Sequence, residues 1–492
     1  MRKEKSKNCY YPNFLYMELG TTTSLRNLCR YPISDDIDAA FLHEYIHYLQ
    51  DITTISGYSN ICVVCDRMRY VVTSKGKKLA IPIKYESIEK FFIKQNALNQ
   101  SSHIGDARLK IGGVDIPFPT HYDLYLKNID IWVRRQHPIE GALSLVVAFK
   151  YNGINLEYNI GEYAISESMA YLIEKYIYPN ALPSPPDFPY NVVEKIVNDK
   201  FPFLNQPEML VALCDVSLMY QFPGRALYLL CNELKEIGNT KSVHFTDVYL
   251  IGYSTSFADK LNVENRMDSF TKMNQIAKQT FQKYFEMIPV WDDIVEQVSV
   301  IFDNALWLRK HAPLFMIDIL KGKEINRNNA FKSIATKIIG ALCIKTDANE
   351  IYHFVPELNT QKLIDTPYYY SKIFYNIGEP AWVNYILNKW NLTVGLREPD
   401  LGLLVSTHMI HDIFFKSNTV DFSGDTPSMK CELFDWCKDS FNRQSLSDLT
   451  SIGYECRYCP WENVRDRKRL DQCAFGRLWA AWRLDRKRLR SQ

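Results

Sequence analysis

Ser34-Asp35-Asp36-Ile37-Asp38-Ala39-Ala40-Phe41-Leu42-His43-Glu44-Tyr45-Ile46-His47-Tyr48-Leu49 is the stretch on which the reading of this chain turns. Its centre, His43-Glu44-Tyr45-Ile46-His47, sets two imidazoles one helical turn apart with a carboxylate beside the first. On an α-helix, residues i and i+4 share a face, so both imidazoles can reach one Zn²⁺ at about 2.0 to 2.1 Å. Glu44 lies roughly 100° further round, where it can take a proton from water without being a ligand. A random chain of this length carries the pattern with a probability of about 0.01, so coincidence is a weak rival. Around the histidines, Ala40, Phe41, Leu42, Tyr45, Ile46, Tyr48 and Leu49 are uncharged, as a ligand helix in a protein interior requires. Ser34 is expected to cap the helix, Asp35, Asp36 and Asp38 to suit its N-terminal end, and Gly57 to stop it. The helix is therefore predicted over about 35–54.

A catalytic zinc takes three protein ligands and leaves a fourth position for water, so another donor is needed. Six residues after His47 stands Thr53, not histidine. The stretch from Gly161 to Glu174 reads as a second helix, with Glu167, Ala170, Tyr171 and Glu174 on one face. Glu167 is the expected third ligand, with Glu162, Glu174, His103, His121 and His137 as alternatives. At these residues the chain resembles the gluzincins, HExxH zinc metallopeptidases whose third ligand is a glutamate on a second helix. In their aminopeptidase branch a small residue follows that glutamate at +3 and often an acid at +7, as Ala170 and Glu174 do here. The resemblance implies Zn²⁺ on His43, His47 and Glu167, with Glu44 as general base. Ala170 would let the two helices approach closely, and Glu174 would serve outside the ligand set or face substrate. Three departures stand out: a long insertion separates His47 from Glu167, Tyr171 replaces the usual acid at +4, and no Gly-x-Met-x-Asn signature for a free amino terminus is present. An endopeptidase is therefore expected rather than an exopeptidase.

Further out, Val146 to Tyr151 and Ile154 to Ile160 flank Asn152-Gly153, the signature of a type I′ hairpin, and Asn128 to Arg135 can add a strand. The proline-rich stretch from Pro179 to Pro189 ends the Glu167 helix. Beyond it, helices are predicted over 207–220, 224–237, 247–261, 268–287, 291–308, 331–344 and 369–390. Tyr220 or Arg225 is a candidate transition-state stabiliser. The fold expected is α+β and predominantly α-helical: a zincin-like core with a small sheet over 1–180, a helical region over 181–420 and a Cys-rich basic segment over 421–492.

The chain of 492 residues is 47% hydrophobic with a formal charge of +2, which excludes disorder and says little about partners. No apolar run is long enough to span a bilayer and no signal-peptide core follows Met1, so a cytoplasmic location without membrane attachment is expected. The twelve cysteines then read as thiols or metal ligands. Cys62 and Cys65 are expected in the core. Cys431, Cys437, Cys456 and Cys459 are candidate ligands for a second, structural Zn²⁺, with Cys473 in reserve. His408 and His411, three apart, are joined by no acid or cysteine cluster in sequence and read as structural. From Cys456 onward the charge is about +7, a surface for an acidic partner or nucleic acid. The same segment contains Phe475, Leu478, Trp479, Trp482 and Leu484, the pattern of an amphipathic helix packed on the body. The function expected is zinc-dependent cleavage of a specific intracellular protein. The alternative is a catalytically idle, metal-stabilised scaffold acting through its basic C-terminal segment.

Overall fold

The computed structural model describes residues 8–73 (apart from 12–13, 26–27 and 30), 78–83, 105, 109–111, 114–116, 130–135, 143–181 (apart from 152–153), 185, 187–354 (apart from 262, 286–291 and 349–350), 356, 402–434 (apart from 417–418 and 424–426), 474–484 and 488–491. Helix α1 (Asp35–Thr53) carries the histidines and begins as expected. Ser34 has extended backbone and its hydroxyl accepts from the Ile37 N–H at 3.4 Å, with three aspartates in the first turn. Phe41, Leu42, Tyr45, Ile46, Tyr48 and Leu49 are fully buried, so α1 runs through the interior.

It ends at Thr53, close to the expected bound, but Gly57 is not what stops it. Thr54 turns to extended backbone and its hydroxyl accepts from the Gly57 N–H at 3.0 Å, starting α2 (Ile55–Thr73) immediately. Gly57 thus lies inside α2, where a Cβ would stand 2.3 Å from the Asp51 Cα. Glycine serves there for close approach, not as a stop. Cys62 and Cys65 are buried on α2, and burial pushes both thiols up, Cys62 to about 11. They behave as packing residues.

Four strands, β1 (Cys9–Tyr11), β2 (Tyr16–Leu19), β9 (Ala341–Thr346) and β10 (Ile351–Phe354), form a mixed sheet in the order β1-β2-β9-β10. Only β2 and β9 pair in parallel within it. An antiparallel meander joins β6 (Asp130–Arg135), β7 (Leu143–Tyr151) and β8 (Ile154–Ile160); Tyr151 faces Ile154, leaving a two-residue connection at the expected hairpin. Smaller pairs are β4 (Leu109–Ile111) with β5 (Val114–Ile116), and β3 (Lys78–Ile81) with β11 (Arg488–Ser491).

Helices dominate the rest. Gly161 leads from β8 straight into α3 (Glu162–Ile177), followed by α4 (Val192–Lys200), α5 (Pro207–Leu218), α6 (Pro223–Gly238), α7 (Phe245–Gly252), α8 (Thr255–Lys260), α9 (Arg266–Phe285), α10 (Asp292–His311), α11 (Phe315–Leu320) and α12 (Asn329–Ser333). The single helix expected over 247–261 is divided, because the Ser254 hydroxyl accepts from the Phe257 N–H and caps a new start. The helix expected over 331–344 is also corrected. After α12 a π turn spans Ile334–Ile338, Gly340 takes φ +71°, and the chain becomes β9. A short apolar run fits a buried strand as well as a helix, and here β2 and β10 satisfy its backbone on both sides. The helix expected over 369–390 lies outside the described residues.

Near the C-terminus, α13 (Gly402–Phe415) packs on α14 (Ala474–Ala481), with Phe414 stacked on Trp479 at 6.1 Å. Phe475, Leu478, Trp479, Trp482 and Leu484 are all buried, so this stretch packs against the body as the apolar pattern implied. One continuous cluster of buried side chains runs from Tyr10 to Leu484, joining all three expected segments. The molecule is α+β and predominantly helical, and among the described residues no helix is long and apolar enough to cross a membrane.

Candidate metal centre

Helices α1 and α3 cross so that His43, His47 and Glu167 converge. His43 Nε2 and His47 Nε2 are 3.2 Å apart, and Glu167 Oε2 lies 3.5 Å from the first and 3.4 Å from the second. Three ligands of a tetrahedral ion at about 2.0 to 2.1 Å are separated by about 3.3 to 3.4 Å, so this near-regular triangle fits such an ion. His43, His47 and Glu167 would hold such an ion, which would polarise a carbonyl and acidify a water there. Among the described residues this is the one group of three or more potential ligand side chains close enough to share a metal ion. Ala170, one turn from Glu167, is fully buried, consistent with the clearance expected of it.

What surrounds the triangle fixes its donors. The Gln50 amide nitrogen donates to the Ser166 carbonyl at 2.9 Å, which leaves Gln50 Oε1 to accept from His47 Nδ1 at 2.8 Å. The Glu174 carboxylate accepts from His43 Nδ1 at 2.7 Å. Both rings therefore carry a proton on Nδ1, which leaves Nε2 as the atom that would bind a metal. Glu174 thus takes the supporting place outside the ligand set. Tyr171, at the position where an acid was missing, packs instead against Tyr190. Gln50 escaped the sequence reading, although its place three residues after His47 put it on the same face of α1.

The charges are strongly coupled. Burial opposes ionisation of Glu167, but His47 and His43 outweigh it and hold the carboxyl below its usual range. Burial likewise opposes protonation of His43, yet hydrogen bonding to Glu167 and Glu174 and the charge of Glu44 raise it well above the ordinary value. Burial pushes Glu44 up, against the pull of His43 and His47. Its Oε2 accepts from the Tyr10 main-chain N–H at 2.6 Å.

Tyr190 was also missed. Its ring lies 6.2 Å from that of His43, and burial, then Glu167, Tyr163, Glu44 and Glu174, push its hydroxyl up. The segment that carries it, Asp187–Tyr190, is tied to α3 by the Ser168 hydroxyl, which donates to the Pro189 carbonyl at 2.9 Å.

Tyr220 and Arg225 are engaged elsewhere. The Tyr220 hydroxyl donates to the Gly252 carbonyl, its ring lies under Arg266 at 4.4 Å, and Arg225 donates to the Lys260 carbonyl. They are corrected as candidates: a buried tyrosine in a helical body needs a carbonyl for its hydroxyl, and Tyr220 has found one. Glu162 opens α3 outside the triangle, and burial, then Asp51, raise it to about 7. His103, His121 and His137 lie outside the described residues. So do Cys437, Cys456, Cys459 and Cys473; Cys431 is buried. His408 and His411 flank Asp412, the residue after His411, at 3.2 Å each and pack on Tyr11 and Phe14.

No family model, curated protein or solved structure matches this chain, so what the site can do rests on its own geometry and donor chemistry.

Proposed function

We propose that the protein is a zinc-dependent endopeptidase that cleaves a specific protein in the cytoplasm. The observation that carries this reading is the His43–His47–Glu167 triangle, whose edges of 3.2 to 3.5 Å suit a tetrahedral ion and whose imidazoles are both braced through Nδ1. Two imidazoles and one carboxylate are the three-donor set that holds Zn²⁺ in hydrolytic sites. The glutamate beside the first ligand has no use in a purely structural site, and the gluzincin resemblance supports the same assignment.

When bound, Zn²⁺ polarises a peptide carbonyl and makes water more acidic. Glu44 takes a proton from the water as its oxygen attacks the carbonyl carbon, then delivers that proton to the amide nitrogen as the C–N bond breaks. The second water proton passes from the new carboxylic acid to the amine, so the products are a carboxylate and an ammonium group, and Glu44 returns to its starting state. Tyr190, within the electrostatic reach of Glu167 and Glu44, takes over the place first given to Tyr220 and Arg225: its hydroxyl donates to the oxyanion that develops on the carbonyl oxygen. Tyr190→Phe is expected to lower kcat about 100-fold with KM little changed. Steady-state kinetics on a cleaved peptide check this, and an unaltered kcat removes Tyr190 from the mechanism.

Bracing of the imidazoles has its own consequence. Gln50→Ala and Glu174→Ala are each expected to weaken zinc binding about 10- to 100-fold, read by competition with a chromophoric chelator. Parental affinity in both variants would contradict the bracing role. The function itself is tested by comparing protein termini in cells expressing the parent and Glu44→Gln. New termini unique to the parent are expected, and identical sets of termini would refute the peptidase reading.

A further inference from the structure

Strand β1 carries a role that the ligand triangle does not need. It pairs with β2 through Cys9↔Glu18, Tyr10↔Met17 and Tyr11↔Tyr16, at the edge of the mixed sheet. In an antiparallel pair every second residue turns its main-chain N–H and C=O away from the partner strand. Tyr10 is such a residue: its N–H donates to Glu44 Oε2 at 2.6 Å, and its carbonyl accepts from the Cys9 thiol at 3.4 Å. The side chain makes a second attachment to the same helix. The Tyr10 hydroxyl donates to Asp51 Oδ2 at 2.9 Å, and the ring packs edge-on against Tyr48. Asp51 stands seven residues after Glu44, two turns along the same face of α1. Tyr10 therefore grips α1 at two points, one of them the carboxylate next to His43.

We propose that Tyr10 is a positioning residue for Glu44, its main-chain N–H holding Oε2 so that Oε1 is left for the nucleophilic water. This rests on the peptidase reading. A glutamate has three side-chain torsions, and a general base must be held in hydrogen-bonding reach of the proton it takes. The donor at 2.6 Å restricts those torsions, and the Tyr10–Asp51 bond keeps the donor itself in register with α1. An N-terminal strand distant in sequence from the metal ligands thus becomes part of the reaction centre.

The test exploits proline, which lacks the N–H. Because the Tyr10 N–H points away from β2, Tyr10→Pro costs the sheet no ladder bond. Tyr10→Ala loses the same side chain but keeps the donor. Both are made in the full chain and assayed on a peptide spanning a site that the parent cleaves and Glu44→Gln does not. Equal zinc content and equal KM are expected, with kcat of Tyr10→Pro about 10- to 100-fold below that of Tyr10→Ala. Equal kcat values overturn the proposal. If Tyr10→Pro fails to fold, the amide exchange comparison that follows decides. A readout independent of turnover is hydrogen exchange at the Tyr10 amide, expected to be faster in Glu44→Ala than in Glu44→Gln, which keeps an acceptor; equal rates overturn the proposal. Absence of any peptide that the parent cleaves and Glu44→Gln does not would instead defeat the peptidase reading and leave these exchange rates unaffected.

Discussion

Replacing Glu44 with Gln is expected to leave zinc bound and to lower hydrolysis about 10²- to 10⁴-fold, the range a general acid–base group supplies. Gln has the same shape as Glu and retains an oxygen to accept from the Tyr10 N–H, so the local packing survives. What it lacks is a site that takes up a proton near neutral pH. His43, His47 and Glu167, with their supporting partners Glu174 and Gln50, are untouched by the change. Single-turnover rates on a peptide spanning the cleavage site, alongside zinc content by mass spectrometry, separate the two effects. A parental rate would assign the proton transfer elsewhere. Loss of zinc in Glu44→Gln would show that residue to be a ligand or a structural support.

Arg309→Met is expected to cost about 3 to 5 kcal/mol of stability, the cost of removing one partner of a buried ion pair. Arg309 and Asp215 are both fully buried, and the guanidinium grips the carboxylate with two bonds of 2.6 and 2.7 Å. The same guanidinium donates to the Thr53 carbonyl at 2.6 Å and to the Thr53 hydroxyl at 3.2 Å, closing the C-terminal end of α1. Tyr249 donates to Asp215 at 2.9 Å, so the carboxylate is fully engaged. Without Arg309 a buried negative charge faces Tyr249 alone and the last turn of the ligand helix loses its donor. Arg309→Lys is not conservative, because a single ammonium cannot reproduce the bidentate pair or the contact over the Phe315 ring at 4.7 Å. Urea denaturation measures the loss. A change below about 1 kcal/mol would contradict the account. The double variant Arg309→Met with Asp215→Leu is expected to lose less than the two single losses summed, since it leaves no unpaired charge.

The ligand helices were readable because their signals are local. Ser34, the three aspartates and the uncharged flank of His43-Glu44-Tyr45-Ile46-His47 act within a few residues of one another, and α1 begins where they place it. The β7–β8 hairpin carried its turn dipeptide between two apolar runs, and the pairing of Tyr151 with Ile154 follows that reading. The helix expected over 331–344 overruns into β9 because a short apolar run fits either state; its neighbours β2 and β10 decide the matter, and β2 is more than 300 residues away. The same remoteness hid the groups that tune the site. Tyr10 contributes a main-chain amide, which every residue except proline possesses and which no sequence pattern distinguishes. Tyr190 is one of 31 tyrosines, and tertiary contacts such as the tie between Ser168 and Pro189 bring it beside His43. Arg309 and Asp215 are 94 residues apart, with no periodicity linking them. Glu174 was legible as a member of the ligand face of α3, but its bond to His43 depends on how α1 and α3 cross.

We propose that one divalent ion is held jointly by α1 and α3. Anomalous diffraction at the zinc absorption edge, from crystals of the protein grown with zinc, tests it most directly. The expected result is a peak about 2.0 to 2.1 Å from His43 Nε2, His47 Nε2 and Glu167 Oε2, absent in His47→Ala. A zinc-loaded crystal with no peak between those three atoms would contradict the account.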